Sequence, residues 1–456
     1  RLFTEMIMAV ATKDLVIKKM VYHYLCTYAH EKPDMAIMCI NTLQRDCSNE
    51  DPMVRGLALR SLCSLRLPSI IEYISTPLKD ALKDHNSYVR KTGVMGILKL
   101  YHLDPQVVRD KNMVELLYNM LQDADGHVVA NCVAVLDEIM LDEGGMAVNT
   151  AIVHHLLGRL NDFNEWGLCI ILPLCSRYVP ESEQETFDIM NVLDPVLRTS
   201  NSGVVLAAVK AFVRLTDPLP ELHEQVYERL KAPLLTLMAS PSPEIAHALL
   251  KHIELLVARC PGVFADDYGQ FYTRYNEPSH VKYVKIDLLA QVASDSSMEE
   301  ITRELAEYVA DVDVEMARRA IRAIGRVALR LPKSADPVCE KLIELLDLEI
   351  EYVRAETVLA LKDLLRKYPE RRGPVLPTLA RLLRGENEPA GKAAVLWIVG
   401  EWGEEVPLAP YLVEPLIDGY GDEPDAGVRL ALLTATTKLF FKRPPEAHAM
   451  LARLLH

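Results

Sequence analysis

Twelve times along the chain an apolar residue opens a pattern whose positions four and eight later are, in all but the weaker copies, small or apolar. The plainest copies are Val54, Ala58 and Leu62, then Val89, Gly93 and Ile97, then Val128, Cys132 and Leu136. Others run Val204, Ala208, Phe212; Ile245, Leu249, Ile253; Met316, Ala320, Ile324; Val353, Thr357, Leu361; and Ala390, Ala394, Ile398. Weaker copies start at Ile17, Trp166, Val281 and Val428, and successive starts lie 35 to 41 residues apart. Such spacing lines three side chains along one face of a helix, and a small middle residue lets a neighbouring helix come close.

Each copy follows a polar or proline-bearing turn. Asp51 before Pro52, and Ser242 before Pro243, read as an N-cap followed by proline at the first helical position. A second apolar helical stretch precedes each copy, as at 113–121 and 338–346. One helix pair cannot bury its apolar face alone, whereas a stack of pairs can. The period is a little short of the roughly 40–47 residues of HEAT and armadillo units. It exceeds the roughly 34 of tetratricopeptide units, whose Trp/Gly/Tyr signature is absent. The expectation is an all-α, right-handed α-solenoid of HEAT/armadillo-like helix pairs, with about twelve repeats over residues 1–456. The irregular stretches 216–243 and 261–280 flank the widest step, 41 residues. Residues 216–280 are expected to hold either a flexion point within one solenoid or two longer surface loops.

Composition narrows the functional classes. Fifty Lys+Arg against 64 Asp+Glu leave a net charge of −14, without the basic footprint of a nucleic-acid binder. Nine cysteines at irregular spacings, an odd number with no CxxC pair, suit reduced core residues rather than a disulfide framework. No Asn-x-Ser/Thr sequon occurs, and the longest apolar runs, such as 168–175, are too short to span a bilayer. Arg1 is not an initiator, so an upstream targeting signal stays open.

No phosphate-loop, dinucleotide, nucleophile-elbow or zinc-protease string is present. The expectation is no enzyme, no catalytic or metal-binding residues and no cofactor. His154 and His155 are adjacent, hence about 100° apart on a helix, which is a poor arrangement for one metal. Asp123 and Asp125 fall in the turn position that Asp51 and Asp84 occupy in other copies, which points to capping. Cys169 and Cys175 read as core. Phe271, Tyr272 and Tyr275 form either a peptide-binding shelf or the packing of an irregular connection. One charge feature stands apart: Arg318, Arg322, Arg326 and Arg330 recur every four residues on the helix carrying Met316, Ala320 and Ile324. They form either a solvated face suited to the helix dipole or a contact for an acidic partner or anionic lipid headgroups.

Particular strings go beyond periodicity. Residues 16–46, "DPMVRGLALRSLCSLR" at 51–66, "VRAETVLALKDLLRKYP" at 353–369 and "AAVLWIVGEW" at 393–402 closely resemble the trunk of beta-adaptins. These are the beta-type large subunits of heterotetrameric vesicle adaptor complexes. The resemblance covers essentially the whole chain. Residues 82–103, 160–174 and "FFKRPPEAHAMLARLLH" look most like the beta subunit of the fourth adaptor complex, in its plant or algal form.

The resemblance implies an adaptin N-terminal-type trunk whose first part precedes Arg1 and whose hinge and ear follow His456. It implies a second large subunit, a medium subunit and a small subunit as partners, and recruitment by Arf-family GTPases. It also implies a cytoplasmic location, peripheral on trans-Golgi network or endosomal membranes through the complex. No nucleic acid is implied, and clathrin binding is not claimed, because it would reside in the hinge. A nuclear transport receptor holding basic cargo, or another HEAT-repeat scaffold, is the competing reading that the same architecture and charge allow.

Overall fold

The computed structural model describes residues 2–239, 242–348, 350–382 and 388–455, and every regular element among them is helical. The fold is an all-α solenoid of helix pairs. By its internal contacts the chain divides into two compact units, Arg1–His223 and Glu224–His456. The division falls inside the 216–280 stretch.

Each of the twelve sequence copies lies in a helix, and within each unit successive helices of this series pack against one another. In the first unit the order runs Leu15–Tyr28, Pro52–Leu62, Ser87–Leu103, Gly126–Ile139, Glu165–Cys175 and Ser202–Leu215. In the second it runs Pro243–Arg259, Ser279–Val292, Val314–Arg330, Glu351–Lys367, Pro389–Trp402 and Ala426–Lys442. The reason for the starts is local. Asp51, Asn86, Asp125, Asn201, Ser242, Asp313 and Asp425 each accept a hydrogen bond from a backbone N–H of the first turn, satisfying donors the helix itself cannot. Asp125 therefore caps, as its position suggested. Asp123 accepts the N–H of Asp125 at 2.8 Å.

The middle and third stripe positions of the plain copies are buried, including Ala58, Leu62, Cys132, Leu136, Ala320, Ile324, Thr357 and Leu361. Ile17, at the head of the first copy, is exposed, whereas Val21 and Leu25 behind it are buried. One weak copy is out of register by one residue, and its Trp166 is 81% exposed. In the Glu165–Cys175 helix the buried face runs through Gly167, Ile171 and Cys175 instead. A Cβ on Gly167 would already stand 3.4 Å from the Ala130 methyl, so the contact has no room for an indole, and Trp166 points outward. In the copy at Val281 the middle position is Lys285, buried among the apolar side chains.

The 216–243 stretch, expected to be irregular, holds the His223–Met238 helix despite Pro233 in its interior. Val226, Tyr227, Leu230 and Leu234 repeat at helical spacing and are buried, and that periodicity outweighs the single lost backbone hydrogen bond. The 261–280 stretch opens with the 3-10 segment Pro261–Phe271. Its anchor is Lys285, whose ammonium donates to the Tyr272 carbonyl at 3.1 Å and to Glu277 Oε1 at 2.6 Å. Burial pulls the Lys285 ammonium below its ordinary value, against the opposing pull of Glu277. Phe271 is fully buried and Tyr275 fully exposed. Phe271 and Tyr272 thus belong to the packing of the connection, and Tyr275 stands clear of it.

Candidate interaction surface

The arginine face is built by the Val314–Arg330 helix, which packs between Ser279–Val292 and Glu351–Lys367. Its core stripe fills the inner side, so residues two positions off that stripe sit at the seams with the neighbouring repeats. Arg318 and Arg322 lean towards the following repeat. Arg322 Nε lies 2.8 Å from Glu356 Oε2, and its Nη2 lies 2.5 Å from Oε1. Arg318 reaches Glu356 Oε1 at 3.2 Å and Glu388 Oε1 at 2.5 Å, so it touches two successive repeats. Arg326 leans the other way, to Asp287 Oδ1 at 2.5 Å, and Arg319 joins the same carboxylate at 3.0 Å. Arg330 donates to the Ala293 carbonyl.

All four stripe residues therefore have partners inside the chain. Glu356 is only 3% exposed, and the hydrogen bonds it accepts hold the Arg322 guanidinium above its ordinary value against the cost of burial. Arg322 and Arg326 remain half-exposed, at 50% and 45%, whereas Arg318 is at 24%. The acids were missing from the sequence reading. Their signal is the period itself: Glu356 lies 34 residues after Arg322 and Asp287 lies 39 before Arg326, about one repeat away in each direction.

The same device recurs. In the first unit Arg55 makes a two-pronged contact with Asp84 (2.8 and 2.9 Å), and Arg90 makes another with Asp123 (2.7 and 2.9 Å). Paired forks of this kind fix orientation as well as distance. In the second unit Arg330, Lys367 and Lys442, each the last residue of its helix, donate to the carbonyls of Ala293, Leu329 and Glu401 in the preceding repeat helix. Helix C-termini leave four carbonyls without partners, and here the next repeat supplies the donor.

The remaining sequence candidates are likewise accounted for. His154 Nε2 lies 2.8 Å from Glu185 Oε1, while His155 Nε2 contacts the Leu121 carbonyl, so the two rings diverge. Cys169 is half-buried and Cys175 buried. Among the described residues no group of three or more His, Cys, Asp or Glu is placed to hold a metal ion, and no helix is long and apolar enough to cross a membrane. What the surface does offer is apolar area. Met8, Val16, Met20 and Met38 are each more than half exposed, as are Leu408, Tyr411, Leu430 and Phe441. Exposed apolar residues in such numbers mark contact surfaces when they are contiguous.

This is a repeat scaffold of interdigitated helix pairs, and a family model described as the adaptin N terminal region matches it over residues 1–455. The chain belongs to that family. It is 46% identical over 465 residues to "Beta-adaptin-like protein A" of Arabidopsis thaliana, covering 99% of this chain and 55% of the relative. It is 40% identical over 454 residues to "AP-4 complex subunit beta-1" of Mus musculus, covering 100% of this chain and 61% of the relative. The likeness is to beta-type subunits, and the chain spans little more than half the length of these curated relatives. A homology model of the full-length AP-3 complex in an intermediate open conformation shares the fold, with a TM-score of 0.64 and 19% identity over 99% of this chain and 80% of that one.

Proposed function

We propose that this chain is the scaffold trunk of a beta-type large subunit in a vesicle adaptor complex. In that role it clasps a second large subunit, a medium subunit and a small subunit, and supports cargo sorting at membranes. The observation that carries the reading is the match of the whole repeat array to the adaptin N-terminal region, over residues 1–455. The abundance of exposed apolar side chains supports it, because a scaffold that assembles must leave part of its surface for other chains. Within this proposal the complex is a peripheral coat on trans-Golgi network or endosomal membranes, recruited by an Arf-family GTPase. The 216–280 stretch is the point of flexion, a role suited to the boundary between two compact units.

Co-expression tests the reading. The chain alone should be poorly soluble, and the matching medium subunit should rescue it as a stoichiometric complex. A well-behaved monomer that ignores all three partner subunits would overturn the proposal. Arg322 and Arg326 are the stripe residues with surface left for an acidic partner or lipid headgroups. The assembled complex should bind anionic liposomes less tightly at high salt, and Arg326→Ala should weaken that binding. Equal binding by wild type and variant at low salt would reduce the stripe to its internal role.

A further inference from the structure

Most basic side chains beside repeat seams in the first unit are engaged: Arg55, Arg90 and Arg177 each hold an acid. Lys210 and Arg214 are not. They lie one helical turn apart on Ser202–Leu215, both exposed, and among the described residues no acid pairs with either. They form one wall of a groove of about 380 Å³ that crosses three successive repeat helices, Gly126–Ile139, Glu165–Cys175 and Ser202–Leu215. Its floor is apolar, with Ala134, Leu141, Ile170 and Pro173 among the lining residues. Leu141 is 67% exposed, and Trp166, one turn before Ile170 on the same helix, extends the apolar surface beyond the groove.

The groove is electrically polar. On the wall opposite Lys210 and Arg214 stand Asp137 and Glu138. Asp137 is taken up by Arg177 at 2.5 Å and by the Met146 N–H at 3.0 Å. Glu138 has only His102, at 3.8 Å, and both side chains are more than half exposed. An occupant therefore meets two free cations at one wall, apolar side chains in the middle, and one loosely held, exposed carboxylate at the other wall.

We infer that this groove docks an amphipathic helix of a protein partner. Its aliphatic side chains enter between Leu141 and Ile170, and acidic residues at one end face Lys210 and Arg214. The free cations select for acid in a protein that is otherwise strongly negative, and the apolar floor selects for a side-chain-bearing helix over a bare polyanion. A lipid surface is disfavoured because the groove is concave, with a carboxylate on its far wall. The inference deepens the scaffold reading and rests on it for the origin of the partner, but its test needs no partner subunit.

The probe is a fluorescein-labelled amphipathic peptide with a leucine face and glutamates in its first turn, titrated against the full chain kept soluble as a fusion to maltose-binding protein and followed by anisotropy, with the fusion partner alone as blank. A matched peptide carries lysines in place of the glutamates. The acidic peptide should bind about tenfold more tightly than the basic one, a difference of roughly 1.4 kcal/mol. Lys210→Glu with Arg214→Glu should invert that preference, with helicity confirmed unchanged by circular dichroism. Lys210→Ala with Arg214→Ala should abolish it while retaining the leucine-dependent part, and guards against a misfolded charge swap. Equal binding of both peptides, unchanged preference in the charge-swapped chain, or competition by phosphatidylserine vesicles that carry no peptide would each overturn the inference. If the peptide binds as stated and co-expression yields no complex, the groove stands and the choice of partner class fails.

Discussion

Arg322 grips Glu356 with two nitrogens across a repeat boundary, at 2.8 and 2.5 Å, and the carboxylate it grips is 3% exposed while the guanidinium is half in solvent. The asymmetry decides what a substitution costs. Breaking a buried pair from one side leaves the other charge desolvated and alone, at roughly 3–5 kcal/mol. Surface pairs are worth about 0–1 kcal/mol.

Arg322→Glu is therefore expected to destabilise the second unit well beyond Arg326→Glu, since it sets a second carboxylate against the buried Glu356 rather than against the more exposed Asp287. Arg318 still reaches Glu356 and softens the loss. Urea denaturation of the two variants checks the order, and equal midpoints would show the Glu356 contact to be idle.

The Arg55 guanidinium beside Asp84 holds that carboxyl below its ordinary value of 3.8. A depressed folded-state value contributes stability that is fully present above 3.8 and is lost as pH falls through the lower, folded-state value. The stability gap between wild type and Asp84→Asn should be widest near neutral pH and should close as acid protonates Asp84. Denaturation series on both proteins from about pH 5 downward measure it. A gap independent of pH would mean that the pair contributes shape and not charge.

Leu62 is fully buried at the end of the Val54–Ala58 stripe, so Leu62→Ala should cost about 2–5 kcal/mol. In a nearly one-dimensional array the damage should centre on adjacent repeats. Hydrogen exchange mapped along the chain reads this directly: protection should fall around the Pro52–Leu62 and Ser87–Leu103 helices and hold further away. Uniform loss would contradict it.

Gly400 tests how closely the repeat helices approach. A Cβ on Gly400 would stand 2.8 Å from the Ala435 Cα of the next repeat helix. Replacing a helical glycine by alanine gains about 1 kcal/mol of propensity. Overpacking costs about 1–3 kcal/mol. Gly400→Ala should therefore lower the melting temperature despite the propensity gain, and an unchanged or higher melting temperature would show that the two helices part without cost.

The repeat architecture was legible because one stripe, written twelve times, leaves little alternative to stacked helix pairs. It failed by one residue where the signal was local and the constraint was not. Nothing near Trp166 says that Gly167 must face Ala130, because that demand comes from a helix more than thirty residues earlier. The arginine stripe was visible as a stripe, but its acids lie on other helices. A helix taken as an isolated cylinder turns Arg318 and Arg322 towards water, whereas in the stack the same direction is a seam. The groove beside Lys210 was illegible for the opposite reason: it is made of gaps between three helices, and no string records a gap.

The terminal cations Arg330, Lys367 and Lys442 give the array a direction. Ser279–Val292, Val314–Arg330 and Pro389–Trp402 are each finished by the repeat helix that follows, so the dependence runs backwards along the chain. Losing a later repeat strips the donor from carbonyls at the end of the earlier helix and leaves that end to fray. Losing an earlier repeat frees only a lysine or an arginine, which water readily accepts. Built this way, the stack tolerates erosion from its earlier end and is unravelled by erosion from its later one.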